Sequence, residues 1–201
     1  MSGGSRRQQQ RKETRRKVFE SALSIFRRDG VSESRIEDIA TRAGVSRGTF
    51  YFHFPTKEAV LSELLVTAEA DFTAEIDALP ADAPIEDVLN TTAMAMARPW
   101  SAEPSLWMEV GLVAMRNTAD KLAHGQPTDG IRAVLGRRFE HAAETGQLST
   151  LVPHQIIADF YLANAFAVAV SWSTNPDIMP LAGALQAAAI LFLDGARGRP
   201  E

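Results

Sequence analysis

The chain contains no cysteine. This excludes disulfides, thiolate metal sites, iron–sulfur clusters and a cysteine nucleophile, and it suits a reducing compartment. Glycine (13) and proline (10) are too few for a fibrous protein. Long hydrophobic runs are also missing. The longest uncharged stretches, 160–176 and 178–193, fall short of the ~20 apolar residues a spanning helix needs, and both are interrupted by polar residues such as Asn164, Ser171, Ser173, Asn175 and Gln186. They are expected to be buried helices of a bundle, with no membrane partner. The first 17 residues are polar and basic with no apolar stretch behind them, so no secretory signal is expected and the predicted location is the cytoplasm. No period-2 stretch bounded by hairpin turns occurs, and there is no internal repeat. Catalytic signatures are lacking too. His53, His124, His141 and His154 are scattered, Glu140-His141 and Glu144 lack a second histidine four residues away, and there is neither a phosphate loop nor a nucleophile elbow. An enzyme is therefore not expected, nor a metal or cofactor.

What is present is an ordinary globular composition, 45% apolar and 23% charged over 201 residues, enough for one large domain or two small ones. The net charge of −4 is unevenly spread. Residues 1–57 carry 13 Lys+Arg against 6 Asp+Glu, a net +7, and residues 58–201 carry the other 8 against 19, a net −11. A basic quarter joined to an acidic remainder suggests that one end meets a polyanion. A solvated basic tail is the plainer explanation, and charge alone does not separate the two.

Helical periodicity runs through the chain. Residues 1–11 are predicted to be a disordered basic arm. Val18, Phe19, Ala22, Leu23, Ile25 and Phe26 then recur at helical spacing up to Gly30. Ser34 and Glu37 have capping-box spacing at the start of a short helix that buries Ile36, Ile39, Ala40 and Ala43 and ends at Gly44. Ser46 caps another that stops before Pro55, and Thr56 opens a long fourth helix reaching about Leu79. Further helices are predicted at roughly 85–98, 105–118, 129–145, 154–174 and 179–195. The predicted fold is all-α with about nine helices. Residues 12–57 form a three-helix, helix-turn-helix domain and residues 58–201 a larger helical domain. In a helix-turn-helix the second helix of the pair enters the major groove.

Ile39-Ala40, the run Ala43 to Phe54 (Ala-Gly-Val-Ser-Arg-Gly-Thr-Phe-Tyr-Phe-His-Phe) and Lys57-Glu58 resemble the N-terminal signature of TetR-type (tetracycline-repressor-like) transcriptional regulators. Thr14-Arg15 to Gly30 is similar to that family's first helix. The resemblance covers roughly residues 12–65. It departs at Arg35, where the family more often has a small hydroxyl residue. It implies double-stranded DNA as partner, read as a homodimer on a palindromic operator. Arg47 and Thr49 then face the bases, with Phe50 as a further base reader, and Ser46 presents the helix N-terminus to a phosphate. Gly48 lets the helix approach closely, or is merely a glycine near a turn. The family tips Tyr51 and His53 toward phosphate contacts, and Ser34 and Arg35 are expected to hold the far side of the groove. A cation at Lys57 opposes the helix dipole, a conflict that a docked phosphate relieves. Phe50, Phe52 and Phe54 are expected to be packing residues, at least two of them.

For the larger domain the family implies a small-molecule effector and dimerisation through roughly residues 159–174 and 179–194, both alanine-rich and apolar around most of their circumference. Met94, Met96, Trp100, Trp107, Met108 and Met115 suit an adaptable cavity or an ordinary core equally well. Trp107, Met108, Phe160 and Asn164 are the named ligand contacts. Glu109, Arg116, Asn117 and Asp159 are further polar candidates. The expected function is a ligand-responsive regulator, with repression the expected sense although no residue encodes repression rather than activation. A constitutive or partner-controlled DNA-binding protein is the alternative, and an all-α enzyme a remote one.

Overall fold

A computed structural model describes residues 3–126, 130–148 and 152–196, and among them are nine helices and no strand. The chain divides into two compact units, 1–64 and 65–201. That boundary falls inside the fourth helix, seven residues beyond the expected 57/58.

The first unit holds α1 (Gly3–Asp29), α2 (Ile36–Ala43), α3 (Arg47–His53) and the start of α4 (Lys57–Asp77). Residues 3–11 are helical, where a disordered arm is predicted; residues 1 and 2 lie outside the described residues. Val18, Ala22, Ile25 and Phe26 of α1 pack with Ile39, Phe50, Phe54, Val60 and Leu61, all at 3% exposure or less. Gly30 (φ 81) ends α1, and its N–H donates to the Phe26 carbonyl. Gly44 (φ 68) ends α2, with bonds from Gly44 to Thr41 and from Val45 to Ala40 closing the turn. Ser46 then caps α3, its Oγ accepting from the Thr49 N–H at 3.1 Å. The predicted capping box at Ser34 does not form. The N-cap of α2 is Arg35, with no side-chain cap bond, because the Ser34 hydroxyl is turned inward and donates to the Val31 carbonyl at 2.7 Å.

The second unit comprises the rest of α4 with α5 (Ile85–Ala102), α6 (Pro104–Ala123), α7 (Gly130–Glu144), α8 (His154–Thr174) and α9 (Leu181–Ala196). Residue 129, where the seventh helix is predicted to start, lies outside the described residues, as do parts of the breaks on either side of that helix. α5 packs on α9 and α7 on α8, around a core that includes Ile76, Leu89, Leu135 and Phe139. The Tyr161 hydroxyl donates to the Leu89 carbonyl at 3.1 Å, and burial pushes that phenol above its ordinary pKa. The Arg138 guanidinium donates to the carbonyls of Ile76, Leu79 and Pro80, satisfying the C-terminal end of α4. α5 continues through Pro99, where a break is predicted. Proline there forfeits one backbone bond near the helix end, and buried Trp100 holds the last turn.

Candidate nucleic-acid interface and ligand cavity

The α2–turn–α3 pair presents one polar face. Arg35, Ser46, Arg47 and Gly48 are exposed on it and Thr49 is half-buried at its edge. Arg47 reaches back to Glu37 of α2 at 2.7 Å, and its guanidinium stands 5.6 Å over the Tyr51 ring. The Tyr51 hydroxyl first, then the Glu37 charge, hold the guanidinium above its ordinary pKa. The Thr49 hydroxyl lies 2.9 Å from Ser46 Oγ. Gly48 needs no glycine for the chain's own sake: its backbone is ordinary helix, and an added Cβ would meet only Ser46 Oγ, at 3.7 Å.

Beneath this face the structure reassigns several expected contacts. Phe50 is 0% exposed and cannot touch a base; with Phe54 it is the packing residue, and it meets Tyr51 edge-on. Phe52, expected to pack, is 64% exposed, with the Arg11 guanidinium 4.9 Å over its ring. His53 is 7% exposed, and its carbonyl accepts from Arg15, which also pairs with Glu63. Burial first, then the Arg15 and Arg11 charges, push the His53 imidazole below its ordinary pKa. A neutral, covered ring brings no cation to a phosphate. Ser34 is buried by its bond to Val31 and reaches nothing outside.

Lys57 changes role altogether. Its ammonium donates to the carbonyls of Val31, Ser32 and Ser34 at 2.6, 3.0 and 3.2 Å. The electrostatic conflict of a cation in a first helical turn is relieved from within, by three backbone oxygens of the α1–α2 loop, and no phosphate is needed.

The second unit contains a cavity of about 250 Å3. Its α6 wall is one helical stripe, Trp107, Val110, Gly111, Ala114, Met115 and Thr118, faced by Leu65, Glu69 and Phe72 of α4, Met96 and Trp100 of α5, Ile131 and Arg132 of α7, and Leu162, Ala163 and Phe166 of α8. Of the four named ligand contacts only Trp107 belongs to it. Met108 lies one residue off the stripe. Phe160, 62% exposed, and Asn164 lie on the opposite side of α8 from Leu162 and Phe166. Glu109, Arg116 and Asn117 are also absent from the wall. The polar groups that do line it, Glu69, Thr118 and Arg132, carry no signal in sequence, since a charged residue within a helix usually faces water. At Gly111 a Cβ would overlap the Phe166 ring, so glycine there admits the ring, which meets Trp100 edge-on at 5.9 Å.

Comparisons with known proteins agree with this layout. Residues 18–64 match the family described as bacterial regulatory proteins, tetR family. The HTH-type transcriptional regulator SrpR of Pseudomonas putida is 40% identical over 68 residues, which is 32% of this chain and 32% of that one. This chain is thus matched to about a third of that relative's length. Among solved structures, Thermus thermophilus FadR, a TetR family transcriptional repressor in complex with lauroyl-CoA, has a TM-score of 0.74 at 25% identity, covering 93% of this chain and 97% of that one. SmeT, the repressor of the Stenotrophomonas maltophilia multidrug efflux pump SmeDEF, shares the fold at a TM-score of 0.68 and 22% identity, over 90% and 89% of the two chains.

Proposed function

We propose that this chain, whose residues 18–64 match the tetR family of bacterial regulatory proteins and whose fold is similar to that of a TetR family repressor, is a cytoplasmic transcriptional repressor. It binds an inverted-repeat duplex as a dimer and is released by a small, largely apolar effector. The observation that carries the reading is the edge of α3 formed by exposed Arg47 and Gly48 with half-buried Thr49 beside them, anchored from below by buried Phe50 and Phe54. Arg47 can release Glu37 and offer two N–H groups to guanine O6 and N7, and the Thr49 methyl suits thymine. Arg35 is exposed toward a phosphate, and the Tyr51 hydroxyl is freed for one when Arg47 turns to the bases. Anisotropy with labelled duplex tests this: affinity should fall steeply with salt as phosphate counterions are displaced, and no retention at low salt would refute it.

Gly48 separates DNA contact from folding. Within a helix, alanine is favoured over glycine by about 1 kcal/mol, and the chain leaves room for its methyl. Gly48→Ala should therefore raise the urea midpoint of the protein while weakening duplex binding. Stabilisation with unchanged binding would remove close approach as the reason for the glycine.

Dimerisation rests on α8 and α9. Ile156 and Phe160 on α8, and Ile190 and Leu191 on α9, are exposed, Leu191 at 74%. α8 is also long and apolar enough to cross a membrane, by length and composition alone. A second copy, not lipid, is the proposed cover. Sedimentation should give twice the chain mass, and Phe160→Glu with Leu191→Glu the single mass; partitioning of the native chain into vesicles would contradict it.

The cavity is what favours sensing over constitutive binding. α4 supplies Lys57, Val60 and Leu61 to the first unit and Leu65, Glu69 and Phe72 to the cavity wall. A ligand that prefers one position of this helix lowers DNA affinity by that preference, typically ~1–3 kcal/mol.

A further inference from the structure

Phe52 is 64% exposed, although an aromatic ring of that size is ordinarily placed inside. On α3 it stands one turn beyond Gly48, at the four-residue spacing that makes two residues neighbours on a helix surface, and three residues from Thr49. It therefore extends the edge that carries Arg47 and Gly48. The Arg11 guanidinium lies 4.9 Å over its ring, so the ring also joins α1 to α3 at this edge.

The cations of α1 are of two kinds. From Glu13 onward they are engaged within the chain. Arg15 bonds the His53 carbonyl and Glu63 and stands 4.2 Å over the Phe54 ring. Arg16 pairs with Glu13 and Glu20, and Lys17 approaches Glu13 at 4.0 Å. Residues 1–12 contain Arg6, Arg7, Arg11 and Lys12 and no acidic residue. All four cations are exposed, and none forms an ion pair among the described residues. Arg7, Arg11 and Arg15 follow one another at four-residue spacing and share one face of α1, where like charges repel and oppose the helix. A polyanion alongside relieves that repulsion.

Resting on the reading that α3 meets duplex DNA, we propose that Arg7, Arg11 and Phe52 form a second contact with the same duplex, on the sugar–phosphate backbone beside the groove that α3 enters. Arg7 and Arg11 hold phosphates, and the Phe52 ring lies against the deoxyribose edge. The backbone matches this pair of chemistries, an anion next to an apolar sugar face. An apolar protein partner placed on Phe52 would have to cover the Arg11 charge with it, which is costly without a carboxylate. The contact positions the recognition helix and carries no sequence information.

Anisotropy of a labelled mixed-sequence duplex, titrated with the full chain at several salt concentrations, tests this. In Arg7→Gln/Arg11→Gln the slope of log K against log salt should be smaller by about 2, at ~0.9 per phosphate, with the urea midpoint unchanged or higher. Phe52→Ala should leave the slope alone and lower affinity on the order of 10-fold, as the loss of a covered aromatic ring implies; its midpoint should not fall, because the ring is exposed and alanine favours the helix. The native slope in the double variant, or native affinity in Phe52→Ala, would overturn the proposal. So would a slope smaller by about 1 in Arg16→Gln, which would make overall charge the cause. Retention of the native chain on phosphatidylserine vesicles, lost in the double variant while its duplex slope holds, would overturn it in favour of a lipid surface. In each of these cases the native chain still binds duplex and the reading of α3 stands; no duplex binding by the native chain at low salt would remove both.

Discussion

Alanine at both Arg47 and Thr49 is expected to weaken binding to a preferred duplex on the order of 100-fold, as two lost base contacts of ~1–3 kcal/mol each imply. Stability should hardly move. The Arg47–Glu37 pair is well exposed on both sides, and such pairs contribute ~0–1 kcal/mol. The Thr49 N–H to Ser46 Oγ bond uses backbone and survives the substitution. Anisotropy at fixed salt, beside urea unfolding of the same preparations, separates the two effects. Binding lost in step with unfolding would mean that these side chains hold α3 rather than read DNA.

Lys57→Met is expected to do the opposite. Removing the ammonium strips the donor from the carbonyls of Val31, Ser32 and Ser34, of which Val31 and Ser34 are bonded in part-buried positions. Leaving such acceptors unmet costs about 2 kcal/mol, on the order of 10 °C in melting temperature for a unit of this size. A phosphate-contacting lysine would behave otherwise: stability unchanged, affinity reduced for every duplex sequence, and the salt slope smaller by about 1. Urea midpoints without DNA distinguish the two roles directly. A midpoint equal to that of the native chain would restore Lys57 to the interface.

The contrast between these two residues shows what the sequence can carry. Element order, the glycine stops at 30 and 44, and the caps at Ser46 and Thr56 are local signals, and the structure has them. Direction is not local. Phe50, Phe52 and Phe54 are alike in sequence, yet 100° per residue along a short helix buries the first, exposes the second at 64% and leaves the third to close the core. Ser34 and Lys57 have the residue types of phosphate contacts, but a loop carbonyl takes the hydroxyl and three take the ammonium. The cavity is harder still, because Trp107 and Met108 are neighbours and only the α6 stripe decides between them. Arg132 carries no local signal either: the carboxylate it pairs with, Asp159, stands 27 residues away.

If α3 reads DNA in two symmetry-related copies, duplexes selected from a random pool by the purified chain should share an inverted repeat whose half-sites lie about one helical turn apart or somewhat more, enriched by the native chain and not by the Arg47→Ala/Thr49→Ala variant. Enrichment of no common sequence, or of the same repeat by both proteins, would contradict it.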